Sequence, residues 1–397
     1  MDAMPEPAQV TEVRPGTPRL LRQLNDRAAL DLLLGGEPLT RAQISERTGV
    51  SKVTVSQVLT RLEDRGLVTG AGAAQAGGRG PNAALYSVVP SSAYVAGLYI
   101  DKDTVSAAVA DVTGRRVAEL SVDPNGDEPV ALIRGAVERL CLDAGIPLSA
   151  LSAVIIGSPG VLDPRTGDPR LVVNLPSWHE GLLEGLRGVL HKPVLIENDV
   201  NLAAMAERSS GAATGLDDFA LVWLGTGLGL ATVIGGQVRR GVAGAAGELG
   251  WLPVHGAPLP TNLRHPGGAG YQSLAGGMAV SALAASYGYV GPSAEAAVRL
   301  AVADGSSSFL DELAHRVAIG VASVCVVLDP GLVVLGGSVG RAGGAALAAR
   351  VADEVARICL ARPKVVPTAV PDEPVLRGAM QAALAKARAG LLASVAD

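Results

Sequence analysis

Over the first ninety positions, apolar residues recur at helical spacing. Residues 17–35, TPRLLRQLNDRAALDLLLG, carry leucine and alanine on one stripe and predict an amphipathic helix ended by Gly35-Gly36. In residues 40–65, TRAQISERTGVSKVTVSQVLTRLEDR, Ile44, Val50, Val55, Leu59 and Leu62 form a second apolar face. That stretch predicts two short helices with a glycine turn at Gly49, then a third, longer helix. Ser51 stands just before the last helix, where its oxygen can cap free backbone N–H groups. Gly66-Leu67-Val68 ends the helix and begins a strand, and residues 84–88 return as a second strand across a glycine-rich tip. After Pro90 the pattern changes. Residues 94–100 and 105–111 read as apolar strands, 129–144 as a helix, and 154–156 as a buried strand ending in Gly157-Ser158-Pro159-Gly160. A strand over 194–197 precedes a helix over 201–209, and 219–224 with 230–234 form a hairpin around a glycine turn. A long helix over 309–328 leads to a strand over 332–335 that stops at Gly336-Gly337. Strand–helix alternation of this kind implies α/β lobes.

Helix, tight turn, polar-nosed helix and β-hairpin is the winged helix-turn-helix arrangement, which sets a recognition helix into a major groove. The nose of that helix carries Ser51, Lys52, Thr54, Ser56 and Gln57, groups able to meet phosphates and base edges. Arg79, in the hairpin tip, suits a phosphate or minor-groove contact. Charge sharpens this picture. The chain has a net charge of −5, yet residues 17–88 hold nine Lys/Arg against six Asp/Glu, so a basic small domain precedes an acidic body. The expected partner is a duplex DNA operator, and the symmetry of half-sites implies a homodimer or higher homo-oligomer.

Composition adds bounds. With 397 residues, 48% hydrophobic and 3% aromatic, the chain packs its cores with Ala, Val, Leu and Gly. The Pro-rich, acidic residues 1–16 read as a disordered leader rather than a secretory signal, and no apolar run suits a membrane span. Cys141, Cys325 and Cys359 lie scattered in apolar stretches, as reduced thiols of a cytoplasmic protein would. The expected domains are 17–88, the DNA-binding domain, and 93–397, the α/β body.

Several ordered segments resemble the ROK family (repressor, open reading frame, kinase). Leu195-Ile196-Glu197-Asn198-Asp199-Val200-Asn201 is similar to its ENDANAAA segment, and Leu224-Gly225-Thr226-Gly227-Leu228-Gly229 to its second phosphate loop. GVAGAAGELG, residues 241–250, resembles its sugar segment, and residues 328–337, LDPGLVVLGG, its adenosine segment. Gly157-Ser158-Pro159-Gly160 and Asn174-Leu175-Pro176 match the loops beside its sugar cleft. The resemblance implies a two-lobed actin-like ATPase fold over about residues 93–390 and, with the winged helix, the family's repressor branch. It also implies a sugar or sugar-derivative effector held by Asn174, Asn198, Asp199, Glu248, Trp251 and Gln272.

Departures from the family pattern bear on catalysis. Asp199 matches the position of the kinases' general base, but here it is read as vestigial. Where the first phosphate loop reads DIGGT in the family, this chain has Tyr99-Ile100-Asp101-Lys102-Asp103. Both glycines are gone, and Asp101 and Asp103 would face phosphates. Leu230 is read as replacing a glycine of the second loop. Trp251 replaces the zinc-binding His, and residues 251–276 hold no Cys, leaving only His255 and His265. The expectation is therefore no catalysis, no ATP and no metal: a sugar-sensing transcriptional regulator. The alternatives are a sugar kinase with an accessory DNA-binding domain, or a regulator whose vestigial cleft has Glu248 paired to an arginine such as Arg240.

Overall fold

A computed structural model describes residues 17–74, 83–124, 128–171, 181–261 and 268–396. Residues 1–16, Arg79, Asn174 and His265 fall outside these segments. The chain forms two compact units, one of residues up to Ser92 together with those from Ala387 onward, the other Ala93–Lys386. The boundary differs from the sequence expectation, which gave the whole stretch 93–397 to the body.

The first unit contains α1 (Pro18–Leu34), β1 (Leu39–Thr40), α2 (Arg41–Thr48), α3 (Lys52–Asp64), β2 (Val68–Ala74) and β3 (Ala83–Val88). Residues 40–65 hold two helices, not three. Gly49 turns the chain in the left-handed region at φ 70°, and Ser51 starts α3 at once. The starts are local hydrogen bonding. Thr40 and Gln43 form a capping box, Gln43 N–H to Thr40 Oγ1 at 3.2 Å and Thr40 N–H to Gln43 Oε1 at 2.8 Å. Ser51 Oγ accepts from Thr54 N–H at 3.2 Å. Leu30, Leu33, Ile44, Leu59 and Leu62 are buried where the helices meet. Asp26 of α1 ties to Arg61 of α3 through two bonds, Nε to Oδ2 at 3.0 Å and Nη2 to Oδ1 at 2.5 Å. Strand β3 lies between β1 and β2. Its Tyr86 takes a 2.5 Å hydrogen bond from Arg41, whose guanidinium stands 5.3 Å from the ring centre.

The second unit begins with β4 (Tyr94–Ile100), β5 (Val105–Asp111), β6 (Arg116–Val122) and α4 (Pro129–Asp143). It continues through β7 (Leu151–Ser158), β8 (Val161–Leu162), β9 (Pro169–Leu171), α5 (Leu182–Leu190), β10 (Val194–Asn198) and α6 (Asp199–Ser210). Then come β11 (Phe219–Leu224), β12 (Leu228–Ile234), β13 (Gln237–Val238), α7 (Gln272–Ala275), α8 (Gly277–Ser286), α9 (Ala294–Ala303) and α10 (Ser307–Leu328). The unit closes through β14 (Leu332–Gly336), α11 (Gly337–Ile358), β15 (Lys364–Pro367) and α12 (Pro374–Ser394), whose last turns belong to the first unit.

Two five-stranded sheets follow one plan. In the order β10-β7-β4-β5-β6, the strands β4, β5 and β6 are antiparallel, while β7 and β10 join in parallel. In β13-β12-β11-β14-β15, the strands β11, β12 and β13 are antiparallel, while β14 and β15 join in parallel. The repeat is structural, with no counterpart visible in the sequence. Parallel strands need crossover helices, and α4, α5, α10 and α11 supply them. Such strands are covered on both faces, which is why β7 and β14 are nearly continuous apolar runs. Helix α6 leaves the first sheet and packs on the second: Val200, Ala203 and Ala204 join Leu221, Ala231 and Val233 in one buried cluster. Fully buried Glu207 anchors its far end by accepting from Ala212 N–H at 2.7 Å and from the Thr368 hydroxyl.

Candidate functional site

On α3 the side chains divide by period. Val55, Val58, Leu59 and Leu62 point inward; Lys52, Val53 and Gln57 are exposed, and Thr54 and Ser56 are half-buried. The Ser51 hydroxyl serves the helix start, and Ser56 Oγ donates to Lys52 O at 3.1 Å. The free surface of the helix nose is therefore Lys52, Val53 and Gln57. Val53, 72% exposed, has no place in a list of polar candidates; its signal is an apolar residue on an otherwise polar face. A valine there suits a thymine methyl.

In the second unit, residues of both lobes meet where β10 runs into α6. Asn198 is the N-cap: its Oδ1 accepts from Asn201 N–H at 3.1 Å and its Nδ2 donates to Gly160 O at 3.1 Å. It thereby fixes the Gly157–Gly160 loop against the start of α6. Asp199 follows, half-buried, with Oδ1 accepting from Val200 N–H at 2.8 Å. Burial raises the Asp199 pKa to about 7; the nearby Glu248 and Asp101 add to this, and backbone donors partly oppose it. Glu248 is also raised, again by burial, although the Trp251 side chain donates to its carboxylate and lowers it. Trp251 is thus a donor that holds Glu248 as well as a ring at the site. Tyr99, at the end of β4, is raised by burial and by the charges of Asp199 and Asp101. The phenol therefore stays protonated beside Asp199, where it can only donate or accept a hydrogen bond.

Two expectations need correction, the partner of Arg240 and the place of Leu230. Arg240 pairs with Glu197 rather than Glu248, at 2.8 Å through Nε and 2.6 Å through Nη2. Glu197 Oε1 meanwhile accepts from Asn198 N–H at 3.0 Å and Asn201 Nδ2 at 2.9 Å. Glu197 ties Arg240, just ahead of the 241–250 segment of one lobe, to the strand end of the other, a role that sequence reading missed. Its only signal was a charged residue closing an apolar strand. Gln272, expected as a ligand contact, braces the glycine turn: Nε2 donates to Thr226 O at 2.9 Å, and Oε1 accepts from Leu228 N–H at 3.1 Å. Each end of the amide gives one bond to the glycine turn. Leu230 does not belong to that turn. It sits in β12, its N–H bonded to Gly247 O at 2.8 Å, and the turn itself is Gly225-Thr226-Gly227. Gly247 has φ 100°, and a Cβ there would lie 1.9 Å from Leu230 O, so the sugar segment can clasp β12 only with glycine at this point.

The first-loop position is the Asp101–Thr104 turn, closed by Asp101 N–H to Thr104 O at 2.9 Å, with Lys102 paired to Asp103. Behind Glu248 and Trp251 opens a cavity of about 730 Å³ whose walls are mostly apolar, including Leu230, Leu249, Leu252 and Val324. Among the described residues, no group of His, Cys, Asp and Glu could hold a metal ion, and no helix is long and apolar enough to cross a membrane.

The ROK family model matches residues 95–387. The chain belongs to the ROK family. Ahead of its ROK domain, the MarR family model matches residues 23–80. This ROK chain is 27% identical over 246 residues to the xylose repressor of Bacillus subtilis strain 168, covering 59% of the chain and 61% of that repressor. The match thus spans under two thirds of the relative's own length. It is 29% identical over 276 residues to the glucokinase of Halalkalibacterium halodurans, covering 64% and 82%. A solved ROK family transcriptional regulator, described as a homolog of the E. coli MLC protein, superposes with a TM-score of 0.74 at 18% identity, covering 95% of this chain and 99% of that one. That likeness extends the shared fold through the winged helix as well as the two-lobed ROK body.

Proposed function

We propose that this ROK protein is a DNA-binding transcriptional repressor released or tightened by a sugar-like effector, and that it does not phosphorylate the sugar. One observation carries the reading: a winged helix with an exposed Lys52, Val53 and Gln57 nose precedes a ROK cleft in which Tyr99 and Asp101 crowd Asp199. Asp199, Glu248 and Trp251 offer acceptors and an aromatic face to a polyhydroxylated ring. The Tyr99–Asp103 stretch offers a phenol and two carboxylates where ATP phosphates and magnesium would need backbone donors and a free acid. Similarity to proteins named xylose repressor supports the same reading. Relatives named glucokinase keep the kinase as the second reading.

Selection from a random duplex library tests the DNA function. The full chain should enrich one sequence, and Gln57→Ala should relax it at one position, by about 1–3 kcal/mol. No enrichment, or an unchanged preference in Gln57→Ala, removes the assignment of the recognition helix. A panel including xylose and glucose tests the cleft. At least one sugar should shift both thermal stability and operator affinity, with no phosphate transferred from ATP. The shift in DNA affinity is bounded by the difference in sugar affinity between the two protein states. Measurable sugar phosphorylation would restore the kinase reading.

A further inference from the structure

The cavity behind Glu248 and Trp251 adjoins the sugar cleft. Both of those residues line it. Burial raises the Asp199 pKa and the Glu248 charge adds to it, so the two carboxyl groups are neighbours. Val161 of β8 lines the cavity from the first lobe, one residue beyond the Gly160 carbonyl that Asn198 holds. The 241–250 segment lies directly on that strand: a Cβ at Gly244 would stand 1.8 Å from Leu162 O. From this end the hollow extends along β12. Ala231 and Val233 are buried toward α6, while Leu230, Thr232 and Ile234 alternate with them and face the cavity. Helix α10 contributes Val324 and Leu328.

A bare sugar does not suit such walls. A pentose or hexose carries oxygen on every carbon, and a hydroxyl enclosed by Leu, Val and Ile without a partner loses its bonds to water. Hydrogen-bonding groups are few here. Ser323 spends its proton on Ile319 O at 2.8 Å, and Arg239 is exposed at the rim. A volume of about 730 Å³ also belongs to pockets for molecules much larger than one sugar ring. We infer that the effector is a glycoside with an apolar aglycone, its ring at Asp199 and Glu248 and its alkyl or aryl group in the cavity past Trp251. The inference rests on the proposed sugar-sensing function and names the class of sugar sensed. The substituent is placed on the anomeric oxygen because that is where sugars condense with alcohols and phenols. Taking the aglycone out of water adds affinity that a free sugar cannot gain, so the same cavity selects against free sugars.

Isothermal titration of the full chain with methyl, butyl and hexyl glycosides of glucose and xylose, in both anomers, tests it. For one sugar and anomer, affinity should rise about two- to fourfold per added methylene, so the hexyl glycoside should exceed the methyl one at least about thirtyfold. Thr232→Trp fills the cavity, and Ile234→Asp sets a charge in its wall at a position 38% exposed, where the fold tolerates it. Each variant should flatten the series to within about threefold while the methyl glycoside still binds. Circular dichroism of both should match wild type. n-Hexanol should compete with the hexyl glycoside and leave binding of the methyl glycoside unchanged. Equal affinities across the series, a full slope in both variants, or hexanol displacing methyl and hexyl glycosides alike would each overturn the inference. So would free glucose or xylose binding as tightly as its hexyl glycoside. Those results leave the sugar-sensing function standing. Absence of binding by every free sugar and every glycoside would overturn both.

Discussion

Asp199→Asn should make the body more stable than wild type at about pH 8, by roughly 2 kcal/mol, and equally stable at about pH 4. The sign follows from burial. The Asp199 pKa is raised to about 7, so the folded chain holds a proton that the unfolded chain releases near the ordinary aspartate value. Stability from the neutral form is fully present below the unfolded pKa and is lost as pH rises through about 7. Asparagine stays neutral, keeps an oxygen for Val200 N–H, and removes the charge crowded by Glu248 and Asp101. The figure is set below the full linkage value because Asp199 is only half-buried and solvent screens part of its charge. Thermal melts of both proteins across pH would measure it. Parallel curves would show that Asp199 titrates normally. If the proposed function holds, the same variant should lose its response to sugar, since a carboxylate acceptor is gone, while operator binding without sugar persists.

Arg61→Ala should destabilise the winged-helix unit by about 3 kcal/mol, enough to abolish DNA binding without touching a DNA-facing group. The Asp26 side chain is 12% exposed and takes both of its hydrogen bonds from Arg61. Removing the arginine leaves a carboxylate enclosed between α1 and α3 with no counter-charge. The loss should sit at the lower end for a buried pair, because Arg61 itself is 35% exposed. Asp26→Leu together with Arg61→Met should recover most of the stability, since an apolar pair of similar volume carries no desolvation penalty. Lys52→Ala should weaken DNA binding with no change in melting. A normal melt for Arg61→Ala would show that the ion pair is incidental.

The two variants separate what periodicity can reveal from what it cannot. Leucine spacing located α1 and α3, and the pair Asp26–Arg61, 35 positions apart, left no mark in that pattern. In the body, β4, β5, β10, β11 and β14 were legible as apolar runs. The strands β8, β9 and β13 were not, because two or three residues are too few to show a period, and α8 was not, because its small residues carry weak periodicity.

What the sequence determined by itself is local: the Thr40–Gln43 capping box, the Ser51 and Asn198 caps and the Gly49 turn, each made by atoms within four positions. Such contacts cost little chain entropy and need only the right residues in order. The order of ROK-like segments likewise pointed to the two-lobed fold before any contact was known. Only the tertiary structure decided which partner each polar side chain takes. Arg240 meets Glu197 across 43 positions where the two sheets come together, and Gln272 of α7 reaches Leu228 of β12 across 44 within the second lobe. Asp199 acquires its raised pKa in the same way: Glu248 and Asp101 arrive from different strands and turns, and the surrounding chain removes the water that would otherwise hold the carboxylate ionised.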